Sequence, residues 1–214
     1  MEEGGAMAVV TISRHFGAGG HTLGQILCER FGFRLADASV VDRLARNEKL
    51  SPSFLNAMEK EASSKLLSMI STLVSRGIFY KHPGSPAEKD DRQKYLAFLT
   101  QIFTAMANEG GYVIVGRGAQ FILKGHPKAI HVLLVADYES RVSFLTDHHK
   151  ISRAEAEKTI RAREKERTTL ASRLFETDID DPSLYQIVLN TGTMPYDWVV
   201  DTVSELLTRS MDRE

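Results

Sequence analysis

TISRHFGAGGHTLG, residues Thr11–Gly24, places a glycine cluster between a β-branched apolar run, AVVTI at Ala8–Ile12, and an amphipathic stretch from about Thr22 to Phe31. That succession predicts strand, loop and helix. A glycine-rich turn at such a junction lets successive backbone N–H groups converge on an anion at a helix N-terminus, where the helix dipole also favours negative charge. Gly17, Gly19 and Gly20 lack the Cβ atoms that would block a close approach.

Outward from this loop, Phe33–Ala36 reads as a second strand ending at Asp37, followed by a helix over Ser39–Asn47 with Ser39 as its cap. Ser51 to about Tyr80 and Tyr95–Ala107 have helical periodicity, and Lys81–Arg92, with two prolines and a glycine, reads as a loop or linker. These helices form an insert, about 50–110, between strands two and three. Tyr112–Val115 and Ile130–Ala136 are continuous apolar runs of the kind found in parallel sheets covered on both faces. Helices over Asp137–His149 and Ser152 to about Phe175, a strand over Gln186–Asn190 and a helix from Tyr196 to about Arg209 complete the chain. Five strands alternating with helices imply an open, doubly wound α/β fold in one domain, its core spanning about 8–48 and 111–210.

Composition narrows the function. The 214 residues are 43% hydrophobic and 26% charged with 6 prolines, enough to bury a core and too apolar for wholesale disorder. Lys plus Arg total 27 against 28 for Asp plus Glu, so no global field draws the protein to a nucleic acid polymer or an anionic membrane, and any anion site is local. The single cysteine, Cys28, excludes an intramolecular disulfide and a thiolate metal cluster, and a buried thiol is its expected state. No apolar run reaches about 18 residues and Met1–Ala6 has no signal-peptide character, so a cytoplasmic location is expected.

The loop departs from the phosphate-loop pattern GxxxxGK[ST]. With Gly17-Ala18-Gly19 set on its closing glycines, the first glycine becomes Arg14 and the lysine becomes Gly20. Arg14 or His21 could supply the missing cation, on different geometry from an ammonium. A dinucleotide fingerprint GxGxxG needs its third glycine at Thr22, with Asp37 near the place of the ribose-binding acid, and a plain tight turn needs only the glycines. The loop alone leaves these open.

Three later segments bear on the choice: VIVGRGA at Val113–Ala119, RAREKER at Arg161–Arg167 and DPSLYQIVLNTGTM at Asp181–Met194. Together with the opening loop, in this order, they make the chain resemble the cytidylate kinase-like family, a divergent branch of phosphate-loop nucleoside monophosphate kinases, from about Val9 to Leu207. The resemblance implies a five-stranded parallel core of the P-loop NTPase type, a helical insert that closes over the monophosphate, and a helical lid, about 150–175, that closes over the triphosphate. It implies ATP and Mg²⁺ as cofactors, with the metal's ligands unassigned, and small nucleotides as partners. Arg117 matches the arginine of the family's GRD motif, which contacts the acceptor, with Gly118 in place of the aspartate. Glu164 and Arg167 match an acidic-x-x-Arg lid motif flanked by Arg161 and Arg163, the acid orienting a guanidinium or reading a base amino group. Asp37 matches an acidic position near the acceptor, against the alternative of a helix cap, and Asn190-Thr191-Gly192 matches a backbone contact to adenine.

The function expected is ATP-dependent phosphoryl transfer to a nucleoside monophosphate, CMP or dCMP first. Ser13, Arg14, Gly17, Ala18, Gly19, Gly20, His21 and Thr22 hold the donor, Asp37, Arg117 and Glu164 the acceptor, and Arg117, Arg163 and Arg167 act on the transferring group. The alternatives are a nucleotide-binding or regulatory module without turnover, and a kinase of another small acceptor. His148-His149 is discounted as a metal site because helix neighbours face different ways, and Trp198 is expected to dock the last helix on the core.

Overall fold

A computed structural model describes residues 8–37, 41 and 89–212. Its strands are β1 (Val9–Arg14), β2 (Arg34–Asp37), β3 (Tyr112–Val115), β4 (Ala129–Val135) and β5 (Ile187–Asn190). The helices described are α1 (Gly20–Phe31), α2 (Lys89–Glu109), α3 (Ala119–Ile122), α4 (Tyr138–His149), α5 (Arg153–Phe175) and α6 (Tyr196–Met211). The five strands form one parallel sheet in the order β2-β3-β1-β4-β5.

Strand residues alternate between two cores, as period-two side chains must. Val9, Ala36, Tyr112 and Ile114 pack on one face against Tyr95, Phe98, Leu99, Ile102, Phe103 and Met106 of α2. Val10, Ile12, Val113, Val115, Val132 and Leu134 pack on the other against Leu23 and Leu27 of α1 and Val199, Val203 and Leu207 of α6. Helices on both faces make the sheet doubly wound, as expected, and explain why its strands read as unbroken apolar runs.

Several boundaries move. α1 begins at Gly20, two residues early, because Gly19 at φ 82° already serves as its N-cap. α2 begins at Lys89, inside the stretch Lys81–Arg92 expected to be a loop. Of the span 50–110 read as an insert, 89–109 is α2, and the helices expected over Ser39–Asn47 and Ser51–Tyr80 lie outside the described residues apart from Val41.

Trp198 does not dock α6. It is 62% exposed, and Val199, Val200, Val203 and Leu207 do the docking instead, because Trp198 lies about 100° around the helix from Val199. Cys28 is half-buried beside the α1 core face, its thiol pushed up to about 11 by burial and by Glu29. Replacing fully buried Phe103 by Ala should lower the unfolding free energy by about 3–5 kcal/mol in urea denaturation.

Candidate functional site

In a parallel sheet all strands end on one edge, and ligands of open α/β folds bind there. That edge carries the β1–α1 loop, Asp37 at the end of β2, Gly116-Arg117 after β3, Asp137 after β4 and Asn190-Thr191 after β5.

Gly17 and Gly19 take φ 91° and 82°, conformations that suit glycine. The loop's neighbours leave no space for side chains: a Cβ on Gly17 would sit 3.0 Å from Cβ of Arg141, and one on Gly19 2.6 Å from the Tyr196 ring. The Tyr196 hydroxyl donates to the Gly19 carbonyl at 2.6 Å, and Thr191 Oγ1 donates to the Ala18 carbonyl at 3.2 Å. The start of α6 and the end of β5 therefore hold the loop in shape. Burial pushes the Tyr196 phenol well above its ordinary range, and Thr22 sits beside it. α1 itself begins with no side-chain cap and no acid in its first turn, which leaves its N-terminal amides directed at an anion position.

Next to this loop opens a cleft of about 620 Å³ whose wall includes Ser13, Arg14, His21, Asp37, Arg117, Arg163 and Arg167. The structure thus brings together most of the residues expected at the site. Arg117 has φ 54° between Gly116 at 87° and Gly118 at 72°. Three consecutive left-handed residues turn its side chain, 9% exposed, into the cleft, where Nη1 lies 3.9 Å from Glu166 Oε1. A non-glycine in that region costs roughly 1–3 kcal/mol and is concentrated at functional sites. Gly118 stands where the related motif has an acid because the Phe175 ring, stacked on Phe121 at 4.5 Å, fills the space a Cβ would need.

The arginines of α5 separate. Arg167 is 11% exposed and ion-pairs with both oxygens of Asp180, with Glu164 Oε2 at 3.6 Å, and it reaches Ser13 Oγ at 3.5 Å. Burial lowers its pKa, and the Asp180 bonds outweigh that and raise it. Arg163 is 57% exposed and held by Glu166 at 2.9 Å at the cleft's rim. Arg161 is paired with Glu157 at 3.9 Å on the exposed side of α5.

Glu164 enters the loop: Oε1 accepts from the Phe16 backbone N–H at 2.5 Å and from Arg141 Nη1 at 3.3 Å. His21 is half-exposed and pairs with Asp37 at 3.5 Å. A second cavity, about 410 Å³, lies on the far side of the loop among Gly17, Ala136, Phe144, Thr191, Gly192 and Tyr196. The Gly192 N–H there donates to Asn190 Oδ1 at 3.0 Å.

Four contributors were missed from the sequence. Arg141 and Tyr196 follow strands at the carboxyl edge, the same placement that singled out Arg117. Asp180 directly precedes the quoted DPSLYQ motif, and Glu166 sits within RAREKER. Among the described residues no group of three or more His, Cys, Asp or Glu side chains converges as a metal cage, and His148 bonds the Phe144 carbonyl at 3.0 Å and stacks on its ring. No helix among the described residues is long and apolar enough to cross a membrane.

Asp180 supplies a pH test. Burial raises its pKa, and the bonds from His15 and Arg167 overcome this and hold it well below the ordinary 3.8. The stabilisation from these partners is present above about pH 4 and is lost as pH falls through the depressed value. The stability gap between wild type and Asp180→Asn should therefore stay level from pH 7 to 5 and narrow below about pH 4 in chemical denaturation.

The sequence matches the cytidylate kinase-like family over residues 9–193. Over 212 residues it is 26% identical to a cytidylate kinase from Methanopyrus kandleri, covering 95% of this chain and 93% of that one. Over 184 residues it is 27% identical to a cytidylate kinase from Pyrococcus horikoshii, covering 86% and 80%. Among solved structures it is similar to an uncharacterized protein from Eubacterium ventriosum, with a TM-score of 0.66 at 18% identity over 94% of this chain and 99% of that one. With its P-loop type of doubly wound sheet, glycine loop and arginine-lined cleft, the chain belongs to the cytidylate kinase-like family.

Proposed function

We propose that this chain transfers the γ-phosphoryl group of ATP to a nucleoside monophosphate, with CMP or dCMP as the first acceptor to try. The observation that carries the reading is the convergence of Arg14, Arg117 and Arg167, from three different elements, on one cleft beside the uncapped start of α1. Phosphoryl transfer needs little covalent chemistry from protein; it needs cations and donors that gather phosphates and exclude water. The two relatives called cytidylate kinases support the acceptor class.

In this reading the loop amides from Gly17 to Thr22 hold the donor's β-phosphate, and the cavity bordered by Thr191 and Gly192 takes its base. Arg117 and Asp37 hold the acceptor, Glu164 fixes the lid against the loop, and Arg163 and Arg167 face the transferring group. A phosphate oxygen of the acceptor attacks the γ-phosphorus in line, the bond to the β–γ bridging oxygen breaks, and ADP carries away the electron pair. The lid, α5, closes over the donor.

Mg²⁺ fits this site through the phosphates. It keeps most of its waters and needs only one or two carboxylates, and Asp37, which lines the cleft, would hold a metal-bound water. The ion would supply positive charge that offsets the charge developing on the transferring phosphates.

The closed wall at Gly118, where Phe175 leaves no space for an acid, favours a second reading as a kinase of another small phosphate acceptor or as a nucleotide-binding module. A coupled ADP-release assay with Mg-ATP and a panel of nucleoside monophosphates separates these. Turnover with CMP or dCMP is expected, and Arg117→Ala should lower kcat/KM at least ~100-fold. ATP binding with no turnover on any acceptor would leave the module.

A further inference from the structure

The pattern GxxxxGK[ST] puts a lysine where this chain has Gly20. The space beside Gly20 is already taken. A Cβ there would lie 2.8 Å from Cγ, 3.0 Å from Cδ and 3.1 Å from Cβ of Arg14, and a Cβ on Gly116 would run into Arg14 Nη1. The Arg14 side chain thus runs from the end of β1, over the first residue of α1, to the end of β3, along a track that two glycine α-carbons leave open.

The other cations around the cleft are bound to acids. Arg117 pairs with Glu166, Arg141 with Glu164, Arg167 with Asp180 and Glu164, and His21 with Asp37. Among the described residues no carboxylate lies within ion-pairing distance of the Arg14 guanidinium, which lines the cleft. Desolvation, with the like charges of Arg167 and Arg117 beside it, lowers its pKa to about 10. It remains charged at neutral pH, and a mostly buried charge of this kind is stabilised by a bound anion.

We propose that Arg14 is the cation of this phosphate loop: it binds the polyphosphate of the donor through two guanidinium N–H groups, and positions 20 and 116 are glycines because its side chain fills their Cβ space. This rests on the reading of the loop as a nucleoside triphosphate site. It selects Arg14 over His21, whose ring is half-exposed and turned to Asp37. A planar fork engages two oxygens at once where an ammonium acts as a point charge, so recognition is keyed to adjacent phosphate oxygens.

The test titrates Mg-ATP and, separately, inorganic tripolyphosphate into wild type, Arg14→Met, Gly20→Lys and the double variant Arg14→Met/Gly20→Lys, with unliganded melting temperature as the folding check. Arg14→Met keeps an apolar stem over Gly20 and removes the fork. It should weaken both ligands at least ~10-fold, the worth of a charge-assisted contact. Gly20→Lys alone should also bind worse than wild type, since two stems then compete for one space, and the double variant should bind better than Arg14→Met. Arg14→Met binding within twofold of wild type overturns the proposal, and if wild type also turns over Mg-ATP the kinase reading stands without it. Arg14-dependent tripolyphosphate binding with no turnover upholds the proposal and removes the kinase reading. If Arg14→Met does not fold, the double variant decides: no binding by a folded double variant overturns the assignment.

Discussion

Like charges gathered at one edge of a sheet repel, and this molecule is arranged around that repulsion. Arg14, Arg117, Arg141 and Arg167 come from four separate elements to one side of the carboxyl edge. Three are held by acids that also come from elsewhere: Glu166 and Glu164 from α5, and Asp180 from the turn before β5. Each pair is partly desolvated, so an arginine that lost its acid would leave an uncompensated charge at considerable cost. These pairs offset the like-charge repulsion within the cluster.

α5 is the element through which this balance operates. A full capping box at Ser152 and Glu155 fixes its start, and Ala156, Ile160, Ala171 and Leu174 bury its apolar stripe. Between those anchors Glu164 reaches the Phe16 amide, so α5 is bonded directly to the glycine loop. The Phe16 amide of the loop is thus occupied by a side-chain carboxylate from α5.

The loop is supported from the opposite side by groups that carry no charge. Tyr196 and Thr191 bond consecutive loop carbonyls, and Val199, Val203 and Leu207 tie the same helix into the core. The loop is thus framed by a neutral wall on one side and a charged wall on the other.

Local pattern determined the architecture: apolar runs of four to seven residues, helical periodicity and glycine placement are properties of neighbours in sequence, and the strands, the doubly wound sheet and the loop between β1 and α1 follow from them. Boundaries slipped where a tertiary partner intervened, as at Gly20, and Trp198 was misread because a rotation of about 100° between adjacent helix positions separates core from solvent. The cation of the loop could not be chosen from sequence, since Arg14 and His21 are both near the glycines. Only the packing shows Arg14 running over Gly20 and Gly116 while His21 turns to Asp37. The carboxylate partners were equally hidden: Asp180 and Arg167 are 13 residues apart, Phe16 and Glu164 148 apart. Sequence periodicity carries information over a few residues, whereas electrostatic pairing depends on distance in space, and that distance exists only once the sheet has brought its strand ends to one edge.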